Sequence, residues 1–128
     1  GMDQDDEALR AYKMAKSSYE ACPEEGRVHY GAVLNGLGSL YTKKGQYDLA
    51  LRHFEDAADW VKRFFGENEE YGITFQNRGT LYEKMGEREK AAACCLMAGA
   101  IYEALWGKNH RKVKKMKTLA SRLTGEML

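Results

Sequence analysis

One pattern of small, aromatic and glycine residues occurs twice in this chain, 41 residues apart, and it constrains the fold more than any other feature. In residues 34–57 the pattern reads Leu34-x2-Leu37-Gly38-x2-Tyr41, then Gly45, then Ala50-x3-Phe54-x2-Ala57. In residues 75–98 it reads Phe75-x2-Arg78-Gly79-x2-Tyr82, then Gly86, then Ala91-x3-Cys95-x2-Ala98. Both occurrences have helical spacing on each side of a glycine, so each predicts a helix-turn-helix unit. A period of about 20–50 residues indicates an array whose neighbouring units share one core.

The rest of the chain is interpreted as further parts of this repeat, which gives an all-α fold of about six antiparallel helices in a single domain, residues 1–128. Residues 5–22 predict a helix equivalent to the second half of a repeat, ended by Cys22-Pro23 because proline disfavours helical geometry in the residue before it. After a link at residues 24–27, full repeats are predicted at about 28–66 and 69–107. A last helix at about 110–124 resembles the first half of a third repeat. The two outer helices are therefore expected to cap the array.

Composition bears on several classes of function. The chain has 20 basic and 19 acidic residues, so its overall charge does not indicate nucleic-acid binding. Its three cysteines, Cys22, Cys94 and Cys95, have no C-x-x-C spacing, which argues against a disulfide framework and a zinc site and favours the cytoplasm. No apolar run approaches the roughly 18 residues of a membrane span. No catalytic, metal-binding or cofactor-binding residue is assigned; Cys94, Cys95 and His53 are expected to be packing residues.

These residues resemble the tetratricopeptide repeat, and the 41-residue period with a long second helix resembles the kinesin light chain variant most. The endings of the second helices carry the same resemblance: Phe65-Gly66 is followed by Asn68, and Trp106-Gly107 by Asn109-His110. The resemblance covers about residues 5–124. It implies a right-handed superhelix of antiparallel helix pairs, an α-solenoid, and a role as an adaptor or scaffold that binds other proteins.

The resemblance also implies a concave groove, lined by the first helices of the repeats, that holds a peptide. Carried over by position, the groove residues are Asn35, Ser39, Thr42, Ile73, Gln76, Asn77, Thr80, Glu83, Lys114, Lys117, Thr118 and Ser121. Their amides and hydroxyls are able to hydrogen-bond a peptide backbone. A solvated polar face is the alternative interpretation.

Some chaperone-binding members of the family hold a terminal carboxylate with five clamp residues. Asn77 and Lys114 occupy two of those positions, whereas Asn35, Ser39 and Thr118 replace the lysine, asparagine and arginine of the other three. The clamp interpretation therefore rests on analogy with part of the pattern.

The two ends of the chain carry opposite charge. Residues 1–7 contain four acids and no base, whereas residues 107–128 contain seven bases and one acid, Glu126. His110, Arg111 and Lys112 stand in the first turn of the last helix, where cations oppose the helix dipole. The hypothesis is that this helix attracts an acidic segment: an acidic peptide, nucleic acid, or the acidic amino terminus of another copy of this chain.

Three functions remain open from the sequence. The first is a peptide-binding adaptor, and the second is a scaffold that self-assembles through its end helices. The third is RNA binding by residues 108–122, although no aromatic residue interleaves the lysines there as a stacking platform would.

The second repeat departs from the first at three positions: Arg78, Cys95 and Arg88 stand in place of Leu37, Phe54 and Tyr47. An unpaired buried arginine costs several kcal/mol. The head of Arg78 is therefore expected to reach solvent or to pair with an acid.

Overall fold

The computed structural model describes residues 2–21 and 23–125, which form six α-helices and no strand. The helices are α1 (Met2–Ala21), α2 (Pro23–Lys43), α3 (Tyr47–Phe65), α4 (Glu69–Lys84), α5 (Arg88–Trp106) and α6 (Arg111–Thr124). Each helix packs against the next one in the chain, and α2 also contacts α4. The predicted all-α solenoid of six helices is confirmed.

The turns within the two repeats have the same geometry. Gly45 and Gly86 adopt φ of 77° and 80°, a region that favours glycine. In the first turn the amides of Gly45 and Gln46 donate to the carbonyls of Thr42 and Tyr41 at 3.1 and 2.9 Å. In the second turn the amides of residues 86 and 87 donate to the carbonyls of residues 83 and 82 at the same two distances. A sequence period of 41 residues therefore corresponds to a repeated backbone hydrogen-bond pattern.

The core of the first repeat is built around a close approach of α2 to α3. Leu34, Leu37 and Phe54 are each 1% exposed. The Phe54 ring lies so close to Gly38 that its Cδ1 atom would be 2.7 Å from a Cβ added there. At the equivalent position of the second repeat, a Cβ on Gly79 would lie 3.3 Å from Cys95 Sγ. The cysteine therefore leaves more space than the phenylalanine does.

One helix start differs from the sequence prediction. Helix α2 begins at Pro23, so the link expected at residues 24–27 is helical; proline is well tolerated in the first helical turn, where its missing amide hydrogen is not needed. Helix α6 begins at Arg111, in agreement with the predicted helix at about 110–124, and His110 is its N-cap: the Nδ1 atom of His110 accepts from the Lys112 amide at 3.1 Å. The expected end of the first helix at Cys22 lies outside the described residues. Asn68 caps α4, its Oδ1 accepting from the Tyr71 amide at 3.0 Å.

The two arginines of the second repeat behave differently from each other. Arg78 is half-buried with its guanidinium carbon 5.1 Å from the Phe75 ring centroid, and it pairs with no acid among the described residues. Its Nε is buried without a hydrogen-bond partner. Of the two outcomes expected for its head, solvent contact or an ion pair, the described residues show no ion pair, and the guanidinium lies against the Phe75 ring. Arg88 donates from Nε to the Leu123 carbonyl at 2.9 Å, and from a terminal nitrogen to the Arg122 carbonyl at 3.1 Å. It thereby satisfies carbonyl groups at the carboxyl end of α6.

Candidate functional site

A cleft opens between α2 and α4, the first helices of the two repeats. It has a volume of about 240 Å³ and is lined by Ser39, Thr42, Lys43, Phe54, Asn77, Thr80 and Lys84. The polar residues come from one side of α2 and the facing side of α4, because residues three or four apart share a helix face. Phe54 belongs to the core, so the cleft combines an apolar contact with a polar lining.

A second cleft, of about 180 Å³, lies between α4 and α6. Its lining residues are Gln76, Gly79, Thr80, Glu83, Cys95, Lys115, Leu119 and Leu123. Thr80 lines both clefts, so they adjoin each other across α4. We call these two clefts together the first-helix groove.

A comparison with known protein families matches the part of the chain that contains α3 and α4 and most of α2 and α5. The family model of the tetratricopeptide repeat matches residues 29–104, which is more than half of the chain and contains both helix-turn-helix units. This chain belongs to the tetratricopeptide repeat family. Tetratricopeptide repeats are generally modules for protein–protein interaction and form a non-catalytic family. The functional question for this tetratricopeptide protein is therefore which surface binds and what it binds.

Two residues predicted for the groove are buried. Asn35 is 5% exposed, and its side-chain nitrogen donates to Glu70 Oε1 at 2.7 Å and to Thr74 Oγ1 at 2.8 Å. Thr42 is 7% exposed and donates to the Gly38 carbonyl at 2.8 Å, although it still contributes to the lining of the α2–α4 cleft. Asn35 therefore connects α2 to α4 rather than presenting an amide to a partner.

The predicted residues of α4 do lie along the groove. Asn77 and Gln76 are half-buried, Thr80 is exposed, and each lines at least one of the two clefts. Gln76 already accepts a hydrogen bond from the Tyr102 hydroxyl at 2.8 Å. Ile73 is half-buried and lines neither cleft. Ser39 of α2 is exposed and faces Asn77 and Thr80 across the α2–α4 cleft.

The predicted residues of α6 lie away from the two clefts. Lys114 and Thr118 are exposed, Ser121 is half-buried, and none of the three lines either cleft. Lys117 is exposed and forms an ion pair with Glu103 of α5 at 3.4 Å. The five clamp positions are therefore not gathered in one cavity: Ser39 and Asn77 line the α2–α4 cleft without Asn35, Lys114 or Thr118.

Three lysines that the sequence did not single out line the groove: Lys43, Lys84 and Lys115. Lys43 and Lys84 occupy equivalent positions two residues before the turn glycines, which is the signal that could have identified them. Lys84 forms no ion pair with any described residue, whereas Lys43 pairs with Asp5 of α1 at 3.0 Å. One of the two cationic groups of the α2–α4 cleft is thus already paired within the chain.

The acidic start of the chain is bound by its own basic residues. Asp5 pairs with Lys43, and Asp6 pairs with the neighbouring Lys44. The hydrogen bond from Lys44, with the attraction of its charge, lowers the pKa of Asp6. Asp5 and Asp6 are therefore already paired with lysines of α2 and its following turn. Two of the four acids that were expected to attract the basic helix of another copy are thus paired within the same chain.

The groups considered for chemistry are packing residues in the structure. Cys94 and Cys95 are buried as predicted, and burial raises the pKa of both thiols, which disfavours the nucleophilic thiolate form. His53 is 8% exposed and donates from Nδ1 to the Leu49 carbonyl at 2.8 Å, in agreement with its predicted packing role. Within residues 2–21 and 23–125, no group of three or more His, Cys, Asp or Glu residues is arranged to hold a metal ion. In the same part of the chain, no helix has the length and apolar character needed to cross a membrane.

An aromatic residue, Trp106, approaches the basic helix and is 39% exposed, but its ring already contacts other side chains of the chain. Trp106 stacks on Tyr102 with ring centroids 5.3 Å apart and contacts the His110 ring at 4.6 Å. Lys112 lies 5.4 Å from both the Tyr102 and Trp106 ring centroids and pairs with Glu69 at 3.7 Å. Base stacking needs a free ring face. Trp106 shares its ring surface with Tyr102, His110 and Lys112, so a base would have to compete with these contacts to stack on it.

Proposed function

We propose that this tetratricopeptide protein is a non-catalytic adaptor that binds an acidic peptide segment of another protein in the first-helix groove. The observation that carries the proposal is the α2–α4 cleft, where Lys84 stands beside Asn77, Thr80 and Ser39. A hydroxyl both donates and accepts hydrogen bonds, and an amide does the same through its two polar atoms. These groups suit a peptide backbone, and the lysine suits a carboxylate next to it.

The charge of the groove supports an acidic ligand rather than a basic one. Its lysines are Lys84, Lys43 and Lys115, and its lining acid, Glu83, already pairs with Arg122 of α6 at 3.2 Å. A ligand carboxylate that reaches Lys84 would not compete with an acid of the described chain for that ammonium group. A carboxylate that reaches Lys43 would have to displace Asp5.

The experiment is fluorescence anisotropy with a fluorescein-labelled Glu-rich peptide, compared with the matching peptide that has Gln in place of every Glu. We expect binding of the Glu peptide that weakens with salt, because exposed ion pairs are screened. The variant Lys84→Gln is expected to bind about tenfold more weakly, which corresponds to about 1.4 kcal/mol and to the loss of one charge-assisted hydrogen bond.

The matched control is Arg52→Gln, which removes one positive charge from an exposed position of α3 outside the groove. This control is expected to keep wild-type affinity. Equal weakening by Lys84→Gln and Arg52→Gln would show that only net charge matters. Equal affinity of the wild-type chain for the Glu and Gln peptides would refute the acidic ligand.

A further inference from the structure

The outward side of α5 is apolar over about three turns. Glu103 is exposed in this stretch and pairs with Lys117 of α6 at 3.4 Å. The other exposed residues are all apolar, recur at helical spacing and span about 16 Å: Ala93, Leu96, Met97, Ala100 and Ala104. Leu96 and Met97 are each 47% exposed. We call these five residues the α5 stripe. Single exposed apolar residues are ordinary, but a continuous stripe on a helix facing solvent indicates a contact surface.

The first repeat provides an internal comparison. The residues of α3 that lie 41 positions earlier are Arg52, Glu55, Asp56, Asp59 and Arg63. All five are charged and exposed. In the first repeat, the residues at these solvent-facing positions are therefore charged. The apolar residues at the same positions of α5 are not required by the repeat fold.

The same comparison excludes a further repeat as the partner of the stripe. Helix α3 lies inside the array, with helices before and after it, and its five equivalent residues stay exposed. Extending the array beyond α6 in the same geometry would leave the α5 stripe equally exposed. The partner must approach from outside the array.

The side-chain sizes along the stripe fit a second molecule of this chain in antiparallel orientation. If two α5 helices pair about a two-fold axis midway between Met97 and Ala100, Met97 of each molecule lies opposite Ala100 of the other, and Ala93 opposite Ala104. Met97 then meets an alanine and the outer alanines meet each other, so the helices are able to approach closely. A two-fold contact of this kind uses the same surface on both molecules and closes on itself.

The charges that flank the stripe fit the same alignment. Glu89 stands at the start of α5, and Lys108 follows its end after Gly107, so in an antiparallel pair the glutamate of each molecule would lie beside the end of the other α5, where the lysine is. Both residues are exposed, and neither forms an ion pair with the described residues. A parallel pairing would instead place Glu89 against Glu89 and Lys90 against Lys90. We infer that the α5 stripe is a homodimer surface on which two copies of this chain pair through antiparallel α5 helices.

This surface is separate from the first-helix groove and from the end helices, so its test does not depend on peptide binding. The stripe is short compared with the roughly 800 Å² per partner of a standard interface, so the dimer is expected to be weak and dependent on concentration. Sedimentation velocity over a concentration series is expected to show the weight-average mass rising from 14.5 kDa toward twice that value. A wild-type chain that stays monomeric at every concentration overturns the inference.

The test variant is Leu96→Glu with Met97→Asp, which installs the residues that α3 has at the equivalent positions. It is expected to stay monomeric at every concentration while keeping the wild-type circular dichroism spectrum. The matched control, Met14→Glu, changes an exposed apolar residue of α1 that is 72% exposed, and it should dimerise like the wild type. Dimerisation of the double variant as strong as that of wild type overturns the inference. So does a wild-type monomer that cosediments with phosphatidylcholine vesicles through Leu96 and Met97, because the stripe would then bind a lipid surface.

A charge exchange tests the antiparallel alignment independently. Glu89→Lys alone and Lys108→Glu alone should each weaken the dimer, because each places like charges at the same level. The double variant Glu89→Lys with Lys108→Glu should restore it. If the double variant is weakened by the sum of the two single effects, Glu89 and Lys108 do not meet and the alignment is wrong.

Discussion

The two equivalent glycines Gly38 and Gly79 should respond in opposite directions to the same substitution, alanine. In a helix interior, replacing glycine by alanine contributes about 1 kcal/mol of stability through helix propensity. At Gly38 the new Cβ would lie 2.7 and 2.8 Å from Cδ1 and Cζ of Phe54, and closer still to Cε1. Carbon atoms in favourable contact are about 3.5–4.0 Å apart, so the ring would have to move by roughly an ångström.

The Phe54 ring has little room for that movement, since Phe54 is 1% exposed and belongs to a cluster with Leu37 and Leu81. Overpacking a filled core costs typically about 1–3 kcal/mol, and the three close ring contacts place Gly38→Ala toward the upper part of that range. After the propensity gain is subtracted, Gly38→Ala should lower the free energy of unfolding by about 1–2 kcal/mol. At Gly79 the nearest atoms, Cys95 Sγ at 3.3 Å and the Ala91 carbonyl oxygen at 3.4 Å, require a shift of only tenths of an ångström. Gly79→Ala should therefore be neutral or stabilising by up to about 1 kcal/mol.

Urea unfolding followed by circular dichroism measures both free energies, and the two variants serve as controls for each other. A third measurement isolates the contact: in a Phe54→Leu background, which removes the aromatic ring, the penalty of Gly38→Ala should shrink or change sign. The reasoning is refuted if Gly38→Ala is as stable as the wild-type protein, or if Gly79→Ala is the more destabilised of the two. It is also refuted if Phe54→Leu leaves the Gly38→Ala penalty unchanged.

Three further predictions follow from individual contacts. Asn35→Asp replaces the group that donates to Glu70 by a second carboxylate, so it should lower the free energy of unfolding at neutral pH by about 1–3 kcal/mol. Part of this loss should disappear on acidification, because protonation of a carboxylate removes the repulsion. An equal loss at neutral and acidic pH would contradict the prediction. Burial, helped by the charges of two glutamates, raises the pKa of Tyr102 to about 12. Because an unfolded tyrosine has a pKa of about 10, the contribution of Tyr102 to the free energy of unfolding is present below about pH 10 and is lost as the pH rises toward 12. In an alkaline unfolding series, the free energy of unfolding should therefore fall less steeply with pH in Tyr102→Phe than in the wild-type protein. Arg88→Gln removes the hydrogen bonds to the carbonyls at the end of α6 and should lower stability by about 0.5–1.5 kcal/mol, with faster amide exchange confined to the last turn of α6.

The sequence predicted the backbone of this protein well because the residues that form two helices and the turn between them occur in both repeats. Glycines at 45, 66, 86 and 107 all adopt positive φ, and Asn68 caps α4. These determinants are local, so they act in the same way in each repeat. The predicted start of α2 lies too late in the chain. A proline indicates the end of one helix and the first turn of the next equally well, so Pro23 alone does not show where α2 begins.

The groove residues were predicted less well, and the reason is geometric. A family position gives the helix face that a side chain occupies, whereas burial depends on how far the neighbouring helix has closed over it. Asn35 lies on the predicted face of α2 but is covered by Glu70 and Thr74 of α4. Lys115 lines the α4–α6 cleft, whereas the predicted Lys117 turns to Glu103 on α5. A difference of two positions on a helix is a rotation of about 160°, so these two lysines point to nearly opposite faces of α6, and only the packing of α6 shows which of them reaches the groove.

By itself, the sequence determined the helices, the turns and the family. All of these depend on residue type and spacing along one chain. The tertiary structure alone decided which polar groups are free: it assigned Asn35 to a contact between repeats, Arg88 to the end of α6, and Asp5 to Lys43. Hydrogen bonds and ion pairs between helices depend on distances across the packed interface. These distances are set by the side chains of both helices together, and for that reason no single stretch of sequence contains them.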